Sequence, residues 1–167
     1  MYDREKLKAK AVQYCELART SLTRELGFGT QGIVYETGHN TAIKVYDRDD
    51  GYARERSVYL RLKERSITSI RGMNIPRFET FSDELLVLEM SIVHVPCIID
   101  FGGAYIDKPP AHLARDESWM EQKAEEFGEN WEEAQAVIRE LEHRADIYLA
   151  DINIGNIKFG EKLAGTG

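Results

Sequence analysis

The stretch "LGFGTQGIVYETGHNTAIKVY", residues 26–46, constrains the fold more than any other part of the chain. Its glycines fall in G-x-G-x-x-G order, yet β-branched and aromatic residues alternate on both sides of them and no helical period follows. A dinucleotide-binding turn needs its third glycine to open a helix, whereas Gly32 is followed by strand text. No G-K-[ST] comes after the glycines, which excludes a Walker-type phosphate loop. What remains is a glycine-rich hairpin between antiparallel strands, "GHN" forming the next turn and "TAIKVY" a third strand. Any fold for this chain has to be built around that meander.

The flanking text supplies what a meander needs to bury its faces. Leu7, Ala11, Tyr14, Cys15 and Ala18 recur at helical spacing, predicting an amphipathic helix from Asp3 to about Thr20. "DRDDG" reads as a break, and "YARERSVYLRLKER" as a helix carrying Tyr52, Val58, Tyr59 and Leu62 inward. Two further strands are expected near residues 77–81 and 85–93, joined by a turn at Ser82, Asp83 and Glu84. Beyond them come the apolar run "HVPCIIDFGGAYIDKPP" and two helices. Gly128 suits an αL end for the first, and Asn130 with Glu133 a capping box for the second. The fold class is therefore α+β: residues 1–25 as helix and lead-in, 26–93 as a five-stranded antiparallel lobe with one helix, and 94–167 as a small, mostly helical lobe. At 167 residues such a chain buries a core without staples.

Composition removes several function classes. The net charge is −7 and the basic residues are interleaved with acids, so no nucleic-acid footprint is expected. Cys15 and Cys97 lie in separate apolar segments without C-x-x-C spacing, and His39, His94, His112 and His143 show no ligand spacing. Neither cysteine has a neighbouring base. The charged opening "MYDREKLKAK" and the lack of a long apolar run lead to the expectation of a soluble cytoplasmic protein with no membrane partner.

The candidate functional residues emerge from order along the chain. Gly27, Gly29, Gly32 and Val34 complete G-x-G-x-x-G-x-V, Ala42-Ile43-Lys44 follows on the third strand, and Glu55 sits eleven residues after Lys44 on a helix. Later, "LADINIGN" sets Asp151 five residues before Asn156. Taken singly, each has a plainer reading: hairpin glycines, a solvated strand lysine, a helix-surface glutamate, a polar turn.

Taken in this order the pieces resemble the protein-kinase family. The resemblance implies that the glycine hairpin folds over the phosphates of ATP, with Val34 and Ala42 against the base. Lys44 would pair with the α- and β-phosphates, held by Glu55. "LLVLEMSIV" is similar to the family's hinge strand, with Leu88 at the gatekeeper position and the Glu89 carbonyl and Ser91 amide as adenine partners. Asp151 would orient or accept the proton of the attacking hydroxyl, and Asn156 would supply an oxygen to Mg²⁺.

The chain departs from the family's pattern in several places. Thr41 replaces the first residue of V-A-I-K, Leu149 and Ala150 stand where His and Arg are expected, and Asn153 replaces the usual Lys. No Asp follows Asn156 in the family's D-F-G position. A D-F-G occurs instead at Asp100–Gly102, ten residues past Met90, a reach of up to ~33 Å when extended. It is either an accidental tripeptide in a loop, the plainer reading, or a displaced metal ligand. The implied activity is transfer of the ATP γ-phosphoryl group to a hydroxyl, with Ser or Thr of a protein as the expected acceptor. A pseudokinase acting as a nucleotide-binding or protein-interaction module, and a small-molecule kinase, are the alternatives.

Overall fold

The computed structural model describes residues 3–113 and 115–160 and has a mixed α+β architecture. The chain divides into two compact units, one holding residues up to Ser66 with Pro76–Ile92, the other Ile67–Ile75 with Val93 onward. Residues 67–75, which the sequence places in the first lobe, thus group with the second unit.

In the first unit, α1 (Arg4–Leu17) is opened by Asp3, whose carboxylate accepts from the Glu5 and Lys6 amides at 3.0 and 3.1 Å. Strands β1 (Leu22–Gly29), β2 (Gly32–Thr37) and β3 (Thr41–Tyr46) lead to α2 (Asp49–Glu64). β4 (Ser69–Ile70) and β5 (Met73–Asn74) belong to the other unit. The chain returns as β6 (Phe78–Ser82) and β7 (Val87–Ser91). The sheet order is β1-β2-β3-β7-β6 with every neighbouring pair antiparallel, the five-stranded sheet expected from sequence.

Two helices cover this sheet, α1 on one face and α2 on the other. Leu7, Ala11, Tyr14 and Cys15 of α1 join Ile33, Ile43, Val45 and Val87 in one buried cluster. On the opposite face Tyr46 meets Tyr52 of α2 edge-on, with ring centroids 5.6 Å apart. Every residue of β3 from Ala42 to Tyr46 is consequently buried, which a strand covered on one face alone does not show. Helix α2 begins inside "DRDDG": Asp49 and Asp50 occupy its first turn, where carboxylates complement the unpaired amides, so these acids start the helix and do not break the chain.

The second unit is assembled from short strands around two helices. β8 (Cys97–Ile98) lies between β5 and β11 (Ile157–Lys158), and β9 (Ala104–Ile106) pairs antiparallel with β10 (Ile147–Leu149). Between β9 and β10 run α3 (Glu117–Phe127) and α4 (Trp131–Ala145). Helix α4 buries Ala134, Val137, Ile138, Leu141 and Ala145, the face that its apolar period predicts.

The boundary between these helices differs from expectation. Gly128 has φ +53° but ψ −128°, outside αL, and a 3₁₀ turn over Gly128–Asn130 leads straight into α4. Asn130 is already helical in backbone and makes no side-chain cap, so no capping box forms. Glu133 pairs instead with Arg71 at 2.8 Å.

Candidate functional site

In the first unit, the alternation of β3 sends Ala42, Lys44 and Tyr46 toward α2. Lys44 lies between Val34 of β2 and Leu88 of β7, and its Nζ donates to Glu55 Oε2 at 2.6 Å. The two side chains are 11% and 1% exposed, so this is a buried ion pair. Neither the solvated strand lysine nor the helix-surface glutamate describes them. Withdrawing both charges from water is costly, and each partner offsets part of that cost for the other.

The glycine hairpin is regular β-structure out to its tip: Gly27 faces Val34, Phe28 faces Ile33, and Gly29 faces Gly32 across a two-residue turn of Thr30 and Gln31. The three glycines are not equivalent. A Cβ on Gly32 would lie 2.0 Å from the Val45 carbonyl oxygen, so packing against β3 demands glycine there. A Cβ on Gly27 or Gly29 would meet nothing within 4 Å among the described residues, and neither has a positive φ. The fold itself gives no reason for those two.

The Ser91 amide, assigned from sequence as an adenine partner, is already engaged within the sheet. β7 is an interior strand, and the Ser91 amide already donates to the Arg77 carbonyl at 2.9 Å. Glu89 is paired on both sides, opposite Ile43 and Thr80. Its buried side chain, unmarked by any sequence motif, accepts from Tyr14 Oη at 2.6 Å and Thr41 Oγ1 at 2.5 Å, tying α1 to the sheet. Burial and this bond raise the Tyr14 pKa.

In the second unit, the Asp151–Asn156 loop leaves β10 and enters β11. Asn156 Nδ2 donates to the Asp151 carbonyl at 3.0 Å and to Asp151 Oδ2 at 3.2 Å, so the two motif residues do meet. Asn153, which the sequence marks only as a substituted lysine, holds the other oxygen: its Nδ2 donates to Asp151 Oδ1 at 2.9 Å. Its own Oδ1 accepts from the Gly155 and Asn156 amides at 2.8 and 3.1 Å. The D-x-N spacing in "DINIGN" is the signal that marks it, since a short amide side chain two residues on closes such turns.

The D-F-G tripeptide lies against this loop. The Ile99 amide donates to the Asn156 carbonyl at 3.0 Å, and the Ala150 amide donates to the Gly103 carbonyl at 2.8 Å. The pairs β8–β11 and β9–β10 therefore bracket Asp100–Gly103 and the Asp151–Asn156 loop as two adjacent connections. Asp100 Oδ1 accepts from the Gly102 amide at 2.8 Å, and Phe101 is fully buried. A Cβ on Gly103 would fall 2.8 Å from Asp151 Cβ, so the second glycine of "FGG" is what lets the segments approach. Doubled glycine after the tripeptide is the clue the sequence holds.

Glu126, at the end of α3, accepts from the Ile154 amide at 3.1 Å and pairs with Lys123 at 2.6 Å. The Lys123 bond, assisted by that amide, holds its carboxyl below the usual carboxylate range. Burial pushes both the Cys15 and Cys97 thiols up, so neither is poised as a nucleophile. Among the described residues no three His, Cys, Asp or Glu side chains cluster as a metal cage. No described helix is long and apolar enough to cross a membrane.

No family model matches this chain, and no curated protein matches it. Among solved structures, the ternary complex of streptomycin, ATP and APH(2'')-IIa is similar at 19% identity, covering 49% of this chain and 27% of that chain with a TM-score of 0.38. The chain thus spans about a quarter of the length of that structure.

Proposed function

We propose that this chain is an ATP-dependent, protein-kinase-like phosphotransferase that moves the γ-phosphoryl group of ATP to a hydroxyl, with Ser or Thr of a protein as the acceptor. The observation that carries the reading is the buried Lys44–Glu55 pair, preceded by a hairpin whose Gly27 and Gly29 have no packing reason to be glycine. A cation sealed against one carboxylate is what a phosphate-binding lysine needs to be held at a fixed place. Bare backbone at Gly27 and Gly29 lets amides approach phosphate oxygens, which side chains would prevent.

Asp151, Asn156 and Asp100 supply the remaining roles. They offer oxygen donors, the type that Mg²⁺ accepts, and in the second unit the connections that carry them lie side by side. Asn156 and Asp100 would hold the ion, which when bound neutralises charge on the transferring phosphoryl group. Asp151, fixed through both oxygens by Asn153 and Asn156, orients the acceptor hydroxyl and receives its proton. Support for Asp100 comes from the pairing of β8 with β11, which sets its connection beside the Asp151–Asn156 loop.

A second reading has its own observation: Leu149 and Ala150 stand where the family has His and Arg, which favours a pseudokinase that binds nucleotide without turnover. Labelled ATP with Mg²⁺ separates the two, using the chain itself, a generic protein substrate and an aminoglycoside as acceptors. Transfer to protein that is lost in Asp151→Ala supports the proposal, and transfer to the aminoglycoside alone assigns a small-molecule acceptor. Nucleotide binding without transfer to any acceptor leaves the pseudokinase, and no binding at all ends both readings.

A further inference from the structure

We infer that α3 is the positioning element of the Asp151–Asn156 loop, with Glu126 as its operative residue. The inference rests on the proposed phosphotransferase reading only for its consequence in turnover. The geometry stands without it.

Among its described residues, α3 has one buried side chain, Phe127, and it packs on α4 through Trp119 and Phe127 against Trp131. Its last turn also engages the loop and the strand end beyond it. Glu126 Oε1 takes the Ile154 amide at 3.1 Å, and the Phe127 ring stands edge-on to Phe159 with centroids 6.5 Å apart. At the other end, Arg115, just before the helix, donates to the Leu149 carbonyl at 3.2 Å and pairs with Glu142 of α4 at 2.9 Å. The loop is therefore gripped at its entry, two residues before Asp151, and at its middle, two residues before Asn156.

The grip has a consequence for chemistry. Asn153, Asp151 and Asn156 hold one another, but a ring of short polar side chains fixes only its internal shape. From outside the ring, the Ala150–Gly103 and Ile99–Asn156 backbone bonds and buried Ile152 pin the two ends of the loop, and its exposed middle at Ile154 needs an anchor of its own. Ile154, 55% exposed, has no burial to hold it, so its amide bond to Glu126 is the fixed point. Lys123 pairs with the second carboxylate oxygen and leaves the first to the Ile154 amide.

Three variants of the full chain test this: Glu126→Ala, Glu126→Gln, which keeps an acceptor oxygen, and Lys123→Ala, which keeps the carboxylate. Backbone amide exchange at Ile154 is read by NMR, and kcat and KM for ATP are read by phosphoryl transfer. Glu126→Ala should speed Ile154 exchange and lower kcat, each on the order of tenfold, with KM for ATP changed less than about twofold. Glu126→Gln and Lys123→Ala should stay within roughly threefold of wild type in both. Unchanged exchange in Glu126→Ala, or a Gln variant as impaired as the Ala variant, overturns the inference. A wild type without transfer activity removes the phosphotransferase reading instead, and the exchange measurement still decides whether Glu126 positions the loop.

Discussion

Lys44 and Glu55 show how a residue's environment, more than its type, sets what it costs to change. Removing one partner of a buried pair leaves an uncompensated charge, whereas removing both leaves a hydrophobic vacancy that can be filled. Lys44→Ala alone should lose about 3–5 kcal/mol of unfolding free energy, and Lys44→Met with Glu55→Leu should recover most of it. Urea titrations of the two variants check this. A surface pair behaves differently. Arg71 holds the Glu133 carboxyl below its ordinary value of 4.5, so the pair's contribution is present above that pH and disappears as pH falls through the lower folded value. The urea midpoints of wild type and Glu133→Gln should therefore differ near neutral pH and converge as the pH falls through the lowered Glu133 value. Because both side chains are largely exposed, the difference should also shrink in high salt.

Elements written by local period were legible in the sequence, and those fixed by distant partners were not. The faces of α1, α2 and α4 follow from apolar spacing alone, and the five-strand sheet from alternation and turn residues. β4, β5, β8 and β11 are two residues each, too short to carry a period, and exist because other segments pair with them. The proximity of Asp100 to the Asp151–Asn156 loop depends on these pairs, which is why no local pattern could place it. Ser91 is misleading for the same reason: its amide is taken by Arg77, a residue its own segment does not specify. The glycine hairpin offers the sharpest test at this scale. Gly32→Ala drives a Cβ into the Val45 carbonyl and should cost several kcal/mol, on the order of 3, since backbone cannot yield as a side-chain end does. Gly27→Ala and Gly29→Ala meet no described atom and, in a strand, should change stability by less than about 1 kcal/mol. If the proposed role of the hairpin is right, the same two substitutions weaken ATP binding, so thermal melts and nucleotide titrations on one set of proteins separate packing from ligand.

For the molecule as a whole, charge decides how nucleotide binding must behave. If the proposed roles hold, the carboxylates of Asp100 and Asp151 in a chain of net charge −7 disfavour a polyphosphate unless a cation intervenes, while Lys44 supplies attraction without one. ATP alone should therefore stabilise the protein a little, and ATP with Mg²⁺ considerably more. Ligand at a hundredfold excess over Kd contributes about 2.7 kcal/mol, and for a chain of this size each kcal/mol raises Tm by roughly 2–4 °C, so a shift of about 5–10 °C is expected with the metal. Asp100→Asn separates the sources of that shift. It removes one negative charge, so binding of ATP alone should hold or improve, yet at the proposed metal site it replaces a charged carboxylate ligand with a weaker neutral amide, so the increment from Mg²⁺ should fall. The two effects have opposite signs, which makes the outcome hard to imitate by general destabilisation. A variant that keeps the full Mg²⁺ increment would return Asp100 to an ordinary loop residue and leave Asn156 as the proposed metal ligand without it.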